Sequence, residues 1–250
     1  MLSVNENRYS SEVQPRHAHA ETTVTILLAG QLRERVGSRE EIARPLSIVV
    51  KPRDTEHANE FGAGVRTLQI KLSPDASASL ESADKSFREW RWHHAGPAVP
   101  AFLRVLKVLR ASADEDCNGE RLEETAFDAL AALTLERDGT CHGAPPQWLA
   151  EIKQTLDESM RPPSVKQLAT RAGVHSVYLA RQFRRWFGHS ITEHLARRRL
   201  QRVAGLMDCR GKPLSLVAYE SGFADQSHMC RFLSRETGLT PKAYRALVTV

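Results

Sequence analysis

VKQLATRAG at Val165–Gly173 returns as LSLVAYESG at Leu214–Gly222, 49 residues later, with Val165, Leu168 and Ala169 matched by Leu214, Val217 and Ala218. Apolar residues at i, i+3 and i+4 bury one stripe of a short helix, and the closing glycine takes the positive φ of a sharp turn. The repeat continues at an offset of 50, because Leu179-Ala180-Arg181-x-Phe183-x-Arg185-x-x-Gly188 returns as Met229-Cys230-Arg231-x-Leu233-x-Arg235-x-x-Gly238. The spacing predicts two helix-turn-helix units, over 164–187 and 213–237, the second with a turn one residue longer. A single unit of this kind occurs in many helical bundles; two copies joined by a helix point to a DNA-reading device.

Breakers and caps set the remaining helices. Pro146 to Ser159 reads as an amphipathic helix, and Arg161-Pro162-Pro163 breaks the chain before the N-cap candidate Ser164. Ser176 to Phe187 and Gln226 to Thr237 are the two expected recognition helices, with Thr192 to about Met207 as connector and a short helix from Pro241 through Leu247. In the first recognition helix Leu179 and Phe183 take the buried face. Val177, Ala180, Arg181, Arg184 and Arg185 are left facing outward.

Charge follows the same division. Residues 147–250 carry 17 Lys and Arg against 8 Asp and Glu, whereas residues 1–146 carry 18 against 22. The whole excess of the +5 net charge therefore lies in the repeat half. Arginine outnumbers lysine there by 13 to 4, which suits bidentate contacts to phosphates and guanine edges.

The stretch Gly222-Phe223-Ala224-Asp225-Gln226-Ser227-His228, then Arg231, then Gly238-Leu239-Thr240-Pro241-Lys242-Ala243-Tyr244-Arg245, resembles the DNA-binding domain of the AraC/XylS family of bacterial transcription regulators. The resemblance covers about residues 148–247. It departs at Met229, where the family usually has Phe, and at Val203, where it usually has Ala; Gly205 within the connector costs roughly 1 kcal/mol relative to Ala. The resemblance implies two recognition helices about 34 Å apart entering successive major grooves of a promoter duplex. By position and by resemblance, Val177, Ala180 and Arg181 are assigned base-edge or methyl contacts, with Ser227, Cys230 and Arg231 as counterparts, flanked by Gln226 and His228. Arg184, Arg185, Arg197 and Arg235 are assigned to phosphates. For Arg197-Arg198-Arg199 a solvated helix face with one internal ion pair is an equal alternative.

The N-terminal half is β-rich, with short Val, Ile and Thr runs such as Thr22–Leu28 and Leu46–Val50 bounded by Gly or Pro. His17-Ala18-His19-Ala20-Glu21 alternates ligand types along a strand, and Pro52-Arg53-Asp54-Thr55-Glu56-His57-Ala58-Asn59 supplies another His. These stretches resemble the two motifs of cupin barrels, small jelly rolls that also form the sensor domain of many AraC/XylS members. The resemblance implies a divalent metal on His17, His19 and His57, with Glu21 as fourth-ligand candidate, although the usual Glu position is here Thr23. Alternatively these histidines line an empty or ligand-binding pocket. Trp90, Trp92 and His94, on one side of a strand, are candidates to cap an effector pocket; core packing accounts for at least one Trp.

The expected architecture is thus α+β in two domains. A cupin-like, jelly-roll-like β-barrel spans 1–98, and a helical segment at 99–137 covers the barrel or, as in the family, pairs subunits into a homodimer. A linker at 138–146 precedes the all-α DNA-binding domain at 147–250. Cys117, Cys141, Cys209 and Cys230 form no CxxC pair, so a disulfide framework is not expected. Cys230 falls on the reading face, where Arg231 would lower its pKa in a redox sensor; a packing or methyl-contact role is the plainer reading. No apolar run reaches the roughly 18 residues of a membrane span, and a cytoplasmic, nucleoid-associated location is expected. The functional expectation is a sequence-specific regulator, activator or repressor, without enzymatic activity. Its partners would be promoter DNA, a small-molecule effector and RNA polymerase. The alternatives are a metal-dependent cupin enzyme and a constitutive or architectural DNA-binding protein.

Overall fold

The computed structural model describes residues 2–111, 119–134, 143–160, 162–208 and 211–248. Cys117, Cys141 and Cys209, and residues 138–142 of the expected linker, lie outside them.

The N-terminal half contains nine strands: β1 Leu2–Tyr9, β2 Val13–His17, β3 Thr23–Ala29, β4 Leu32–Val36, β5 Arg39–Ala43, β6 Ser47–Lys51, β7 His57–Phe61, β8 Val65–Leu72 and β9 Arg91–His94. They form two antiparallel sheets, ordered β1-β8-β3-β6-β9 and β2-β7-β4-β5. The orders 1-8-3-6 and 2-7-4-5 are those of a jelly roll, with β9 added at one edge. The expected barrel is therefore two packed sheets rather than one sheet closed on itself.

Alternation along β3 shows how the layers stack. Every residue of this strand is buried. Val24, Ile26 and Leu28 face a core shared with helices, while Leu27 faces the second sheet together with Val65, Leu32, Ala43 and Phe61. A strand covered on both faces loses the polar alternation of an edge strand, and Thr23–Ala29 is apolar or Thr throughout.

After β8 come α1, Pro74–Ala83, capped by the Ser73 hydroxyl, then α2, Val99–Ala111, and α3, Gly119–Thr134. Val99, Phe102, Leu103, Val105 and Leu106 of α2 and Ala126, Ala129, Leu130 and Leu133 of α3 are buried over the first sheet.

The C-terminal half is α4 Gln147–Glu158, α5 Val165–Arg171, α6 Ser176–Phe187, α7 Ile191–Met207, α8 Leu214–Glu220, α9 Gln226–Thr237 and α10 Pro241–Val248. Ser164 with Gln167, and Ser190 with Glu193, form capping boxes that start α5 and α7. The first unit has its own core, made by Leu149, Ile152 and Leu156 of α4, Leu168 and Ala169 of α5, Leu179 and Phe183 of α6, and Ile191 of α7. The second has none of its own. Val217, Ala218, Met229, Phe232, Leu233, Tyr244 and Val248, with Leu200, Val203, Ala204 and Met207 from the later turns of α7, belong to the same cluster as the jelly-roll face and α2.

Polar contacts reinforce this joint. Arg66 Nη2 lies 3.0 Å from Asp208 Oδ1, and Arg110 pairs with Glu6 at 2.6 Å while donating to the Leu247 carbonyl. Gln201 Nε2 donates to Ser47 Oγ at 3.0 Å.

Gly222 closes the repeated turn at φ +78°, and a Cβ there would lie 3.0 Å from the Met160 carbonyl oxygen. Gly222→Ala combines a left-handed penalty with that close contact, so a loss of about 2 kcal/mol is expected in denaturant unfolding. Gly173→Ala, at φ +66° with nothing within 4 Å, isolates the backbone penalty and should cost less. Equal losses at the two glycines would disprove the contact's contribution.

Candidate functional site

The two units present equivalent faces. On α6, Val177, Ala180, Arg181, Arg184 and Arg185 are exposed, and on α9 Gln226, Ser227, His228, Arg231 and Arg235 are exposed with Cys230 half-buried. His175 caps α6 by accepting from the Val177 N–H, and Asp225 caps α9 by accepting from the His228 N–H. Both recognition helices end at left-handed glycines, Gly188 and Gly238.

The arginines sort by their partners. Arg181 and Arg231, at matched positions, make no hydrogen bond or ion pair among the described residues. Arg184 has only a 3.9 Å approach to Glu193, whereas Arg235 is paired with Glu236 at 2.6 Å and lies over the Phe232 ring. Two guanidiniums held out to solvent without a carboxylate are free to take an external acceptor.

The three consecutive arginines of α7 have three different surroundings. Arg198 is buried against Asp157, with Nε 3.1 Å from Oδ1, and donates to the Asp157 carbonyl oxygen. Arg197 lines a cleft facing the jelly roll instead of the outward face. Arg199 lines a groove with His228, Arg231 and Arg235, which Thr192 and Ala196 of its own helix share. At Cys230 burial raises the thiol's pKa, the opposite of what a thiolate activated by Arg231 would show.

In the jelly roll, His17, His19 and His57 converge, with candidate ligand atoms within 4.8 Å of one another. His17 and His57 are cross-strand partners of β2 and β7. His19 reaches them from the loop after β2, so strand alternation was not the reason for its placement. The Nδ1 atoms of His17 and His57 lie 2.7 and 2.8 Å from the Pro15 and Thr55 carbonyl oxygens. That leaves Nε2 of each for another partner, and the buried Nε2 of His57 has none. Burial, then the Lys51 charge, bring the His57 imidazole down to about 4, so it is neutral as a ligand must be. The donor set fits a borderline divalent ion. Glu21, the expected fourth ligand, is exposed and outside the cluster.

Beside the histidines is a charge that sequence reading missed. Glu34 is fully buried; its carboxylate accepts from Trp90 Nε1 at 2.6 Å and Trp92 Nε1 at 3.0 Å and pairs with Lys51 at 2.5 Å. Its alternation with the inward Leu32 was the available signal. Trp90 precedes β9 and is buried under Arg39, 5.0 Å from its ring centroid. Trp92 and His94 instead stack nearly parallel, 6.1 Å apart, and line the cleft. Of the three residues expected to cap one pocket, Trp90 and Trp92 meet at Glu34, and Trp92 and His94 line the cleft.

The cleft, of about 460 Å³, lies between β5 and β9 on one side and α4, the end of α6 and α7 on the other. On its helical wall His189 Nε2 lies 3.1 Å from His194 Nδ1, and His194 Nε2 lies 2.9 Å from Asp157 Oδ1, which Lys153 also pairs at 2.9 Å through Oδ2. Burial raises the Asp157 pKa, but the His194 hydrogen bond and the Lys153 charge outweigh it and hold it down at about 2. His189 is pushed down to about 3 by burial, then by the charges of Arg197 and His194. On the jelly-roll wall, His94 joins Glu41 at 3.1 Å and Ser47 Oγ at 2.9 Å.

Residues 168–247 match a helix-turn-helix domain family. The transcriptional activator RhaR of Escherichia coli is 22% identical over 185 residues, 72% of this chain and 66% of RhaR; RhaR of Shigella boydii matches equally. The match thus spans just under two thirds of these relatives' length. Among solved structures, ToxT of Vibrio cholerae superposes over 99% of this chain and 98% of ToxT with a TM-score of 0.40 and 13% identity. The DNA-binding domain of AdpA, solved with a target DNA, covers 41% of this chain and 92% of that domain, with a TM-score of 0.37 and 27% identity.

The depressed His189 pKa fixes the sign of an acid response. Stability from its neutral form is complete above the ordinary imidazole range and declines as pH falls from about 6.5 toward 3, because the unfolded chain binds the proton first. His189→Gln should flatten the dependence of melting temperature on pH between pH 6.5 and 4. An unchanged slope would mean that His189 is protonated in the fold.

Proposed function

Because the C-terminal half carries an AraC/XylS-type helix-turn-helix domain, we propose that the chain is a sequence-specific DNA-binding transcription regulator whose N-terminal half senses a small molecule. The observation that carries this reading is the pair of unpartnered guanidiniums, Arg181 and Arg231, at equivalent places on two exposed helices joined through α7. Around them the faces differ: Val177 and Ala180 in one, Ser227 and Cys230 in the other. One subunit therefore reads an asymmetric site, with the arginines on guanine and the small residues near thymine methyls. Arg184, Arg185, Arg199 and Arg235 hold phosphates and set register. The likeness to the activator RhaR supports the regulatory role.

The chain works in the cytoplasm as a homodimer. The outer face of α3, where Phe127 is 42% exposed, is the surface offered to a second subunit. RNA polymerase is a partner at promoters, and the sign of regulation follows from where the site lies. The chain is not an enzyme in this reading, which the likeness to the regulator RhaR supports.

Arg231→Ala should cost about 1–3 kcal/mol on a selected duplex, measured by fluorescence anisotropy, and far less on random duplex. An equal loss on both, with a smaller salt slope, would make Arg231 a phosphate contact and remove the base-reading assignment.

A second reading concerns the metal. The buried, unpartnered Nε2 of His57 favours a divalent ion held by His17, His19 and His57, which would tie β2 to β7 and serve sensing or structure. Cobalt titration of the metal-free chain should show one site, abolished in His57→Ala and kept in Glu21→Ala. Undiminished binding in His57→Ala would place the ion elsewhere.

A further inference from the structure

The cleft between the jelly roll and the first helix-turn-helix unit has the size of a small-molecule pocket. Most of its charges are already committed to one another. Asp157 is paired with Lys153, His194 and Arg198, and Glu41 with His94. Glu40 is taken by Arg33 and Arg35 on the second sheet. Two cations remain. The guanidiniums of Arg44, between β5 and β6, and of Arg197, on α7, make no hydrogen bond or ion pair among the described residues, yet both line this space from opposite walls. Arg44 lies close enough to Arg202 to depress that guanidinium's pKa, after the effect of burial. The indole of Trp92 and the imidazole of His94, 3° from parallel, give the same cleft a flat aromatic edge.

We propose that this interdomain cleft, rather than the interior of the jelly roll, binds the effector, and that the effector is a small organic anion: a carboxylate on a planar, partly apolar body. Arg44 and Arg197 take the carboxylate, and Trp92 with His94 takes the plane. The interior of the jelly roll is less suited to such a ligand, since Glu34, Lys51, Trp90 and Trp92 already satisfy one another there.

The regulatory half of this inference rests on the regulator reading. Arg197, Arg198 and Gln201 stand on one side of α7 and line the cleft, and α7 carries both units. His94 reaches α7 through Ser47 and Gln201. A ligand clamped between Arg44 and Arg197 therefore biases how the first unit sits against the jelly roll, while the second is fixed by the shared core. Only a ligand with different affinity for two such arrangements shifts DNA binding.

Isothermal titration of the full-length chain with benzoate and cinnamate, and with benzamide as the neutral counterpart, tests the site without DNA. Saturable one-site binding of at least one carboxylate is expected, at least tenfold tighter than benzamide. Arg44→Gln and Arg197→Gln should each weaken it tenfold or more, with unchanged circular dichroism. Arg44→Lys should fall between Arg44→Gln and the parent. Absent saturation with both carboxylates at millimolar concentration, equal binding of benzamide, or indifference to both Gln variants would each overturn the site. In a parallel anisotropy titration, a shift in duplex affinity on adding the bound carboxylate is expected. Benzoate or cinnamate binding to a chain that binds no duplex would keep the site and reject the regulator reading.

Discussion

The rest of the structure depends on α7 being shared between two cores that do not touch each other's apolar residues. Its first turn, through Ile191, closes the core of the first helix-turn-helix unit. Its later turns, through Leu200, Val203, Ala204 and Met207, are buried with the jelly roll, α2 and the second unit. Burying four such side chains contributes several kcal/mol. The second unit is thereby joined to the jelly-roll half by packing, whereas the first is joined to it mainly by ionic and hydrogen-bonded contacts around a cleft.

The electrostatics follow the same inequality. The excess positive charge of residues 147–250 is not one basic surface. Part is consumed internally, as Arg198 and Lys153 neutralise Asp157 and Arg245 donates to the Lys212 carbonyl. Part faces outward on α6 and α9. A third part, Arg197, faces the jelly roll across the cleft from Arg44. Net charge alone would have assigned all three to nucleic acid, and only the packing of α7 separates them.

What the sequence disclosed depended on whether a feature was local. The two units were legible to within a residue or two, because period, caps and turn glycines act over four to ten residues, and the offset change from 49 to 50 paired Arg181 with Arg231 directly. The β-rich half was legible as strands with turn breakers, but not as two sheets, because strand order is fixed by pairings such as β1 with β8 that lie far apart in the chain. The three histidines were identified by type and motif, while their convergence required the loop after β2 to fold back toward His57. Glu34 was missed because an isolated Glu in Leu-Arg-Glu-Arg-Val looks solvated unless its parity with Leu32 is weighed. Trp90 and Trp92 meet at Glu34 although Trp90 precedes the strand, and only Trp92 and His94 reach the cleft. Arg197 and Arg198 could not be placed at all from spacing, since their partners come from α4 and the jelly roll.

The shared core also constrains how a signal can travel. A ligand inside the sandwich would have to deform the first sheet, whose β3 is buried on both faces, before it moved either recognition helix; close-packed interiors resist such changes. A ligand at the cleft meets α7 directly, at the anchor made of polar pairs: Gln201 with Ser47, His94 with Glu41, Asp157 with Lys153, Arg198 and His194. The cleft anchor is made of separate polar contacts, whereas the anchor of the second unit is a close-packed apolar core. The two ends of α7 are thus held differently, the first unit by polar contacts around the cleft and the second by the shared apolar core.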